Sequence, residues 1–188
     1  MYGPREVTHI RVRRAPLPRA MEETLASVAS FSASLPWEQL KTEEGIDALM
    51  HLALLVTTSD GRVSQLEKNA GQGLTFSLNI DVPDGAEYMD VPNVVASDLD
   101  TVNLMLARTR RAQGRDRYYL YDAFDANCQD FVWSFLASNH LATPALRRFI
   151  LQPTKNLVAR AFTPGMQGAM GVYTDARTLF GSGDLRLI

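Results

Sequence analysis

One segment, residues 51–69, constrains this chain more than any other. Two β-prone runs, 51–58 and 62–69, flank Ser59-Asp60-Gly61. That composition suits a three-residue hairpin loop with Gly61 in the left-handed region. Such a loop pairs Thr58 with Arg62, and counting back places His51 opposite Asn69. Paired residues share a face of the sheet. His51, Glu67 and Asn69 are therefore expected on one side, and Leu52, Leu54, Val56 and Leu66 on the other. A slip of one residue would put Lys68 in place of Asn69 and Glu67, so the loop decides the chemistry.

Around the hairpin, the pattern predicts an α+β domain. Helices are expected over 19–34, from Trp37 onward, and from Ser97 or Asp98 to Gly114. A further one, capped by Asp125, should run over 126–138, and another over 145–162 with a break near Pro153. Short strands are expected over 74–80 and 87–91. Tyr118-Tyr119-Leu120-Tyr121 reads as an aromatic strand or turn. Residues 1–19 read as a basic N-terminal arm or edge strand, 20–163 as the domain proper, and 164–188 as a Gly-rich tail with one weak helix over 173–180.

Composition narrows the function classes. Of 188 residues, 46% are hydrophobic and 21% charged, the balance of a soluble globular chain. Nineteen Lys and Arg against 21 Asp and Glu give a net charge of −2, which opposes a general nucleic-acid binder. Only the arm, with Arg5, Arg11, Arg13, Arg14 and Arg19 against Glu6, offers nucleic acid a local patch. No apolar run approaches the ~18–20 residues of a membrane span, and no secretory signal is visible. A cytoplasmic or virion-associated location is the expectation. One cysteine excludes an internal disulfide framework and a thiolate-rich metal site, and three histidines without a close pair oppose zinc. Phosphate-cradling GxxxxGK[ST] and nucleophile-elbow GxSxG motifs are both missing. No metal or cofactor is expected.

Cys128 is the residue with the most chemical promise. It falls in the first turn of its helix, about third, where unpaired backbone N–H groups and the macrodipole stabilise a thiolate. It also belongs to an amphipathic face with Phe131, Val132, Phe135 and Leu136, and a lone cysteine on such a face is commonly a small buried hydrophobe. His51 at a strand end is likewise commonly structural. Together they read differently. An activated thiol needs a base, and the base needs a polar neighbour to fix its tautomer. Glu67 and Asn69 both qualify.

His51 opening a strand, a hairpin ending Leu66-Glu67-Lys68-Asn69, and Asn127-Cys128-Gln129-Asp130-Phe131-Val132 on a helix resemble the circularly permuted papain-like proteins. These include the NlpC-related permuted hydrolases and the lecithin retinol acyltransferase relatives. The nearest likeness is to a branch found in viral polyproteins and some cellular genomes, in which an Arg-rich strand and a helix precede the His strand. The likeness spans roughly residues 8–184. It implies a thiol peptidase or amidase with His before Cys in the chain. Cys128 would be the nucleophile and His51 the general base, with Asn69 or Glu67 orienting His51. Backbone N–H groups of Cys128 or Gln129 would form the oxyanion hole. The implied partners are a peptide or amide substrate and virion or polyprotein neighbours. Gln129, where the acyltransferase branch tends to be acidic, and the lack of that branch's second hairpin His weaken an acyltransferase reading. A non-catalytic structural or interaction module is the alternative from another class.

Overall fold

The computed structural model describes residues 5–30, 33–69, 73–94, 100–122 and 126–162. Five strands and seven helices occur among them: β1 (Val7–Pro16), α1 (Arg19–Ala29), α2 (Trp37–Glu43), β2 (Met50–Thr58), β3 (Val63–Asn69), β4 (Gly73–Ser77), β5 (Glu87–Asp90), α3 (Val102–Gln113), α4 (Arg115–Tyr119), α5 (Cys128–Ser138), α6 (Pro144–Ile150) and α7 (Thr154–Ala161). The strands form one antiparallel sheet in the order β4-β3-β2-β1-β5. This is a mixed α+β fold.

The β2–β3 hairpin has the expected register. Thr58 N donates to the Arg62 carbonyl at 3.0 Å, and Ala53 lies opposite Glu67. The loop closes through Asp60, whose Oδ1 accepts from the Thr58 hydroxyl at 2.6 Å. Gly61 supplies the left-handed turn, with φ at 79°.

Strand β1 departs from expectation. Rather than an arm or an edge, it runs between two neighbours, with Arg13 opposite Ala53 of β2 and opposite Tyr88 of β5. Ile10 and Val12 are fully buried, so one face of the strand belongs to the core. Two of its arginines meet carboxylates, Arg11 with Asp90 at 2.7 Å and Arg14 with Glu87 at 2.8 Å, and Arg5 just before the strand meets Asp60 at 2.7 Å. Arg19, at the start of α1, meets Glu23 at 2.7 Å. The charge that made the segment look like a nucleic-acid arm is largely met within the protein.

Helix α5 packs on β2 and β3. Phe131, Val132, Phe135 and Leu136 are fully buried in one cluster with Leu52, Leu54, Val56 and Leu66. Each such side chain contributes about 1.5–3 kcal/mol of burial. Its cap is Asn127, whose Oδ1 accepts from Gln129 N at 2.9 Å and Asp130 N at 3.2 Å. Asp125, the expected cap, lies outside the described residues. Cys128 is consequently the first helical residue and not the third.

The Tyr118–Tyr121 reading also changes. Gly114, at φ 78°, separates α3 from the short α4, and Tyr118 and Tyr119 end that helix. Tyr118 sits edge-on to Phe131, with ring centroids 6.3 Å apart, so packing against α5 overrides the local β preference. The 145–162 stretch breaks at Pro153 into α6 and α7. Helices α1, α2 and α7 enclose a second cluster of Ala29, Trp37, Leu40, Leu157, Ala161 and Phe162. The tail, 164–188, lies outside the described residues, as does the helix expected within it. No described helix is long and apolar enough to cross a membrane.

Candidate active site

The site is assembled at the end of the sheet where β2 begins and β3 finishes. Because the hairpin register places residues 51 and 69 in line, Glu67 is the diagonal neighbour of His51 on the same face. His51 Nε2 and Glu67 Oε2 are 3.0 Å apart. Both side chains are partly covered, at 21% and 17% exposure. Cys128, the first residue of α5, is the other side chain that acts on His51, raising its pKa together with Glu67.

A second set of contacts fixes how α5 meets the hairpin. Gln129 Oε1 accepts from Gln152 N at 2.9 Å, and Gln129 Nε2 donates to Gln152 Oε1 at 3.2 Å. Gln152 Oε1 also accepts from Met50 N at 2.9 Å, while its Nε2 donates to the Ala48 carbonyl at 2.7 Å. The residue after Cys128 is thereby tied to the residue before His51.

The electrostatics follow from these bonds. Burial alone disfavours an imidazolium, but the hydrogen bonds and charges of Cys128 and Glu67 outweigh it and raise His51 from 6.5 to about 9. For Glu67, burial favours the neutral acid. Hydrogen bonds with His51 and Asn69, the His51 charge and a Gln65 hydrogen bond overcome that and lower it from 4.5 to about 2. His51 is therefore an imidazolium facing an ionised Glu67 at neutral pH. The Tyr121 phenol is pushed up by burial and then by the neighbouring Cys128, so it stays protonated beside the thiol.

Of the residues singled out from sequence, Cys128, His51, Glu67 and Asn69 are brought together. The imidazole touches the carboxylate of Glu67. Asn69, two residues on in β3, helps lower the Glu67 pKa and donates to Thr75 Oγ1 at 3.3 Å. Gln129 is placed differently. Its backbone N–H donates to the Asn127 cap and its side chain bonds Gln152. The other histidines are elsewhere: His9 pairs with Asp90 at 3.0 Å, and His140 follows the end of α5 with φ at 59°. Among the described residues no group of His, Cys, Asp and Glu could hold a metal ion.

Two residues near this constellation escaped the sequence reading. Gln152 lies in an unremarkable stretch after α6, and nothing local marks it. Arg13 was read as arm charge, although its place in the strand alternation sets it beside Ala53 and one strand further to Glu67. A cleft of about 390 Å³, lined by Val7, Asn93, Met105, Arg108 and Leu141 among others, includes none of Cys128, His51 and Glu67. No protein-family model matches the chain, and no curated protein or solved structure matches it either.

Proposed function

We propose that this protein is a cysteine hydrolase of the peptidase or amidase type, built on a permuted papain-like arrangement. The observation that carries the reading is the chain Cys128–His51–Glu67. A thiol at a helix N-terminus acts on an imidazole to raise its pKa, and that imidazole bonds an ionised carboxylate through its Nε2. This supplies a nucleophile, a proton carrier and an orienting group in the order thiol hydrolysis requires.

The attack uses the thiolate form of Cys128 beside the His51 imidazolium. The sulfur attacks an amide carbonyl, and the carbonyl π pair moves to oxygen. That oxyanion is met by the backbone N–H of Cys128, which at the first helical position has no intrahelical acceptor. As the C–N bond breaks, His51 gives its proton to the leaving amine. The neutral imidazole then takes a proton from water as the water oxygen attacks the thioester. Collapse expels the Cys128 sulfur and releases the carboxylic acid. One amide and one water become one acid and one amine. Glu67 compensates the imidazolium and fixes its ring without itself becoming protonated.

A second reading, a non-catalytic interaction module, is favoured by one observation. Cys128 is only 5% exposed, so substrate must reach a nearly covered sulfur. The deciding experiment is the pH profile of Cys128 alkylation by iodoacetamide in the wild-type protein and in His51→Ala. The hydrolase reading requires rapid labelling at neutral pH that depends on His51. Slow labelling that is indifferent to His51 leaves the interaction module.

A further inference from the structure

Arg13 is buried to 1% exposure, a costly place for a guanidinium, and nothing in the hydrophobic core asks for a charge there. Its position is explained by what it reaches. Nη1 donates to Gln65 Oε1 at 3.0 Å and also to the Asp81 carbonyl, while Nη2 lies 3.5 Å from Glu67 Oε2. That carboxylate oxygen is the one bonded to His51 Nε2. Gln65 Oε1 is shared as well, accepting from Asp81 N at 3.1 Å. Arg13 Nε has no hydrogen-bond partner among the described residues. The side chain therefore tolerates an unmet donor to keep its two Nη atoms in place.

The strand register makes this placement specific. Arg13 of β1, Ala53 of β2 and Glu67 of β3 lie side by side across the sheet, and alanine is the residue between the two long side chains. A larger residue at 53 would stand between guanidinium and carboxylate. Arg13 thus joins the Asp81 carbonyl, Gln65 and Glu67 through one side chain.

We propose that Arg13 is a positioning residue for the reaction. Its forked guanidinium, held by Gln65 and Asp81, fixes the Glu67 oxygen that orients the His51 imidazole toward Cys128. It touches no reacting atom and acts through Glu67. The inference rests on the hydrolase reading of the same site. A lysine should not replace it, because a single ammonium cannot span Gln65, Asp81 and Glu67 in fixed geometry.

The test measures iodoacetamide alkylation of Cys128 at neutral pH in Arg13→Met, Arg13→Lys, Glu67→Gln, His51→Ala, and the double variants of each Arg13 change with Glu67→Gln. Circular dichroism and a thermal melt establish folding. Wild type against His51→Ala tests the hydrolase reading on its own, and a rate insensitive to His51 overturns that reading. Given a His51-dependent rate, folded Arg13→Met is expected to label more slowly by roughly tenfold or more, and neither Arg13 change should slow Glu67→Gln further. Should Arg13→Met fail to fold, Arg13→Lys carries the test. A lysine variant that labels at the wild-type rate overturns the proposal, as does an Arg13 effect that persists unchanged in Glu67→Gln. A purely structural arginine would lower the melting temperature and leave the labelling rate of the folded molecules alone.

Discussion

Gln129 and Gln152 hold each other reciprocally, the Gln129 side-chain Oε1 accepting from the Gln152 backbone N–H at 2.9 Å while Gln129 Nε2 donates to Gln152 Oε1 at 3.2 Å. Each adjoins a key piece of the site, since Gln129 follows Cys128 in sequence and Gln152 binds Met50, which precedes His51. The thiol and the imidazole come from elements far apart in the chain, and this pair of amides ties those elements together. Gln152→Ala should cost about 1–3 kcal/mol through unmet buried groups and should also slow Cys128 labelling. Thr143→Ala, which removes the cap of α6 at Leu146 N, should cost about 1 kcal/mol and leave labelling unchanged. Denaturant melts and alkylation rates on the two variants make the comparison. Equal labelling by both would show that the amide clamp has no bearing on the thiol.

The cap of α5 gives a second prediction. Asn127 Oδ1 serves two backbone donors at the turn that presents Cys128. Asn127→Ala should destabilise by about 0.5–2 kcal/mol, and Asn127→Asp should retain most of the stability because a carboxylate also accepts and favours a helix N-terminus. Urea unfolding of both variants measures it. The expectation fails if aspartate is no better than alanine.

Stability should depend on pH through the His51–Glu67 pair. His51 is raised to about 9, so its contribution is complete below 6.5 and is lost as pH rises through about 9. Glu67 is lowered to about 2, so its contribution is complete above 4.5 and is lost as pH falls through about 2. Both are whole between 4.5 and 6.5. The melting temperature of wild type minus that of a His51→Gln/Glu67→Gln variant should peak in that window and shrink on either side. A difference independent of pH would contradict the ionic character of the pair.

The core offers a blunter test. Phe135 is fully buried beneath the sheet, and Phe135→Ala should cost about 3–5 kcal/mol. Met21 is 45% exposed on α1, and Met21→Ala should cost well under about 1 kcal/mol. Thermal melts suffice to separate them.

How much of this was legible in the sequence depended on whether the deciding contact was local. The hairpin register was readable because Asp60 and Gly61 carry its turn within three residues. The α5 stripe was readable because its period is intrinsic to a helix. The cap was misplaced because Asp125 and Asn127 both have the right chemistry and only the backbone chooses between them. Strand β1 was misread because its burial depends on two partners distant in sequence, and its arginines conceal their acid neighbours until the sheet is formed. The choice between Glu67 and Asn69 needed the side-chain reach across the strands. Arg13 needed all three strands at once.

The hairpin also orders events in time. His51 and Glu67 are joined by a tight turn, so their pairing requires only a short loop to close. Cys128 reaches them across β4, β5, α3 and α4, a contact of much larger sequence separation. Base and carboxylate can therefore meet in an incompletely folded chain, while the sulfur joins them last. Under the hydrolase reading, fast alkylation of this thiol is expected only from molecules in which the long-range contact has formed.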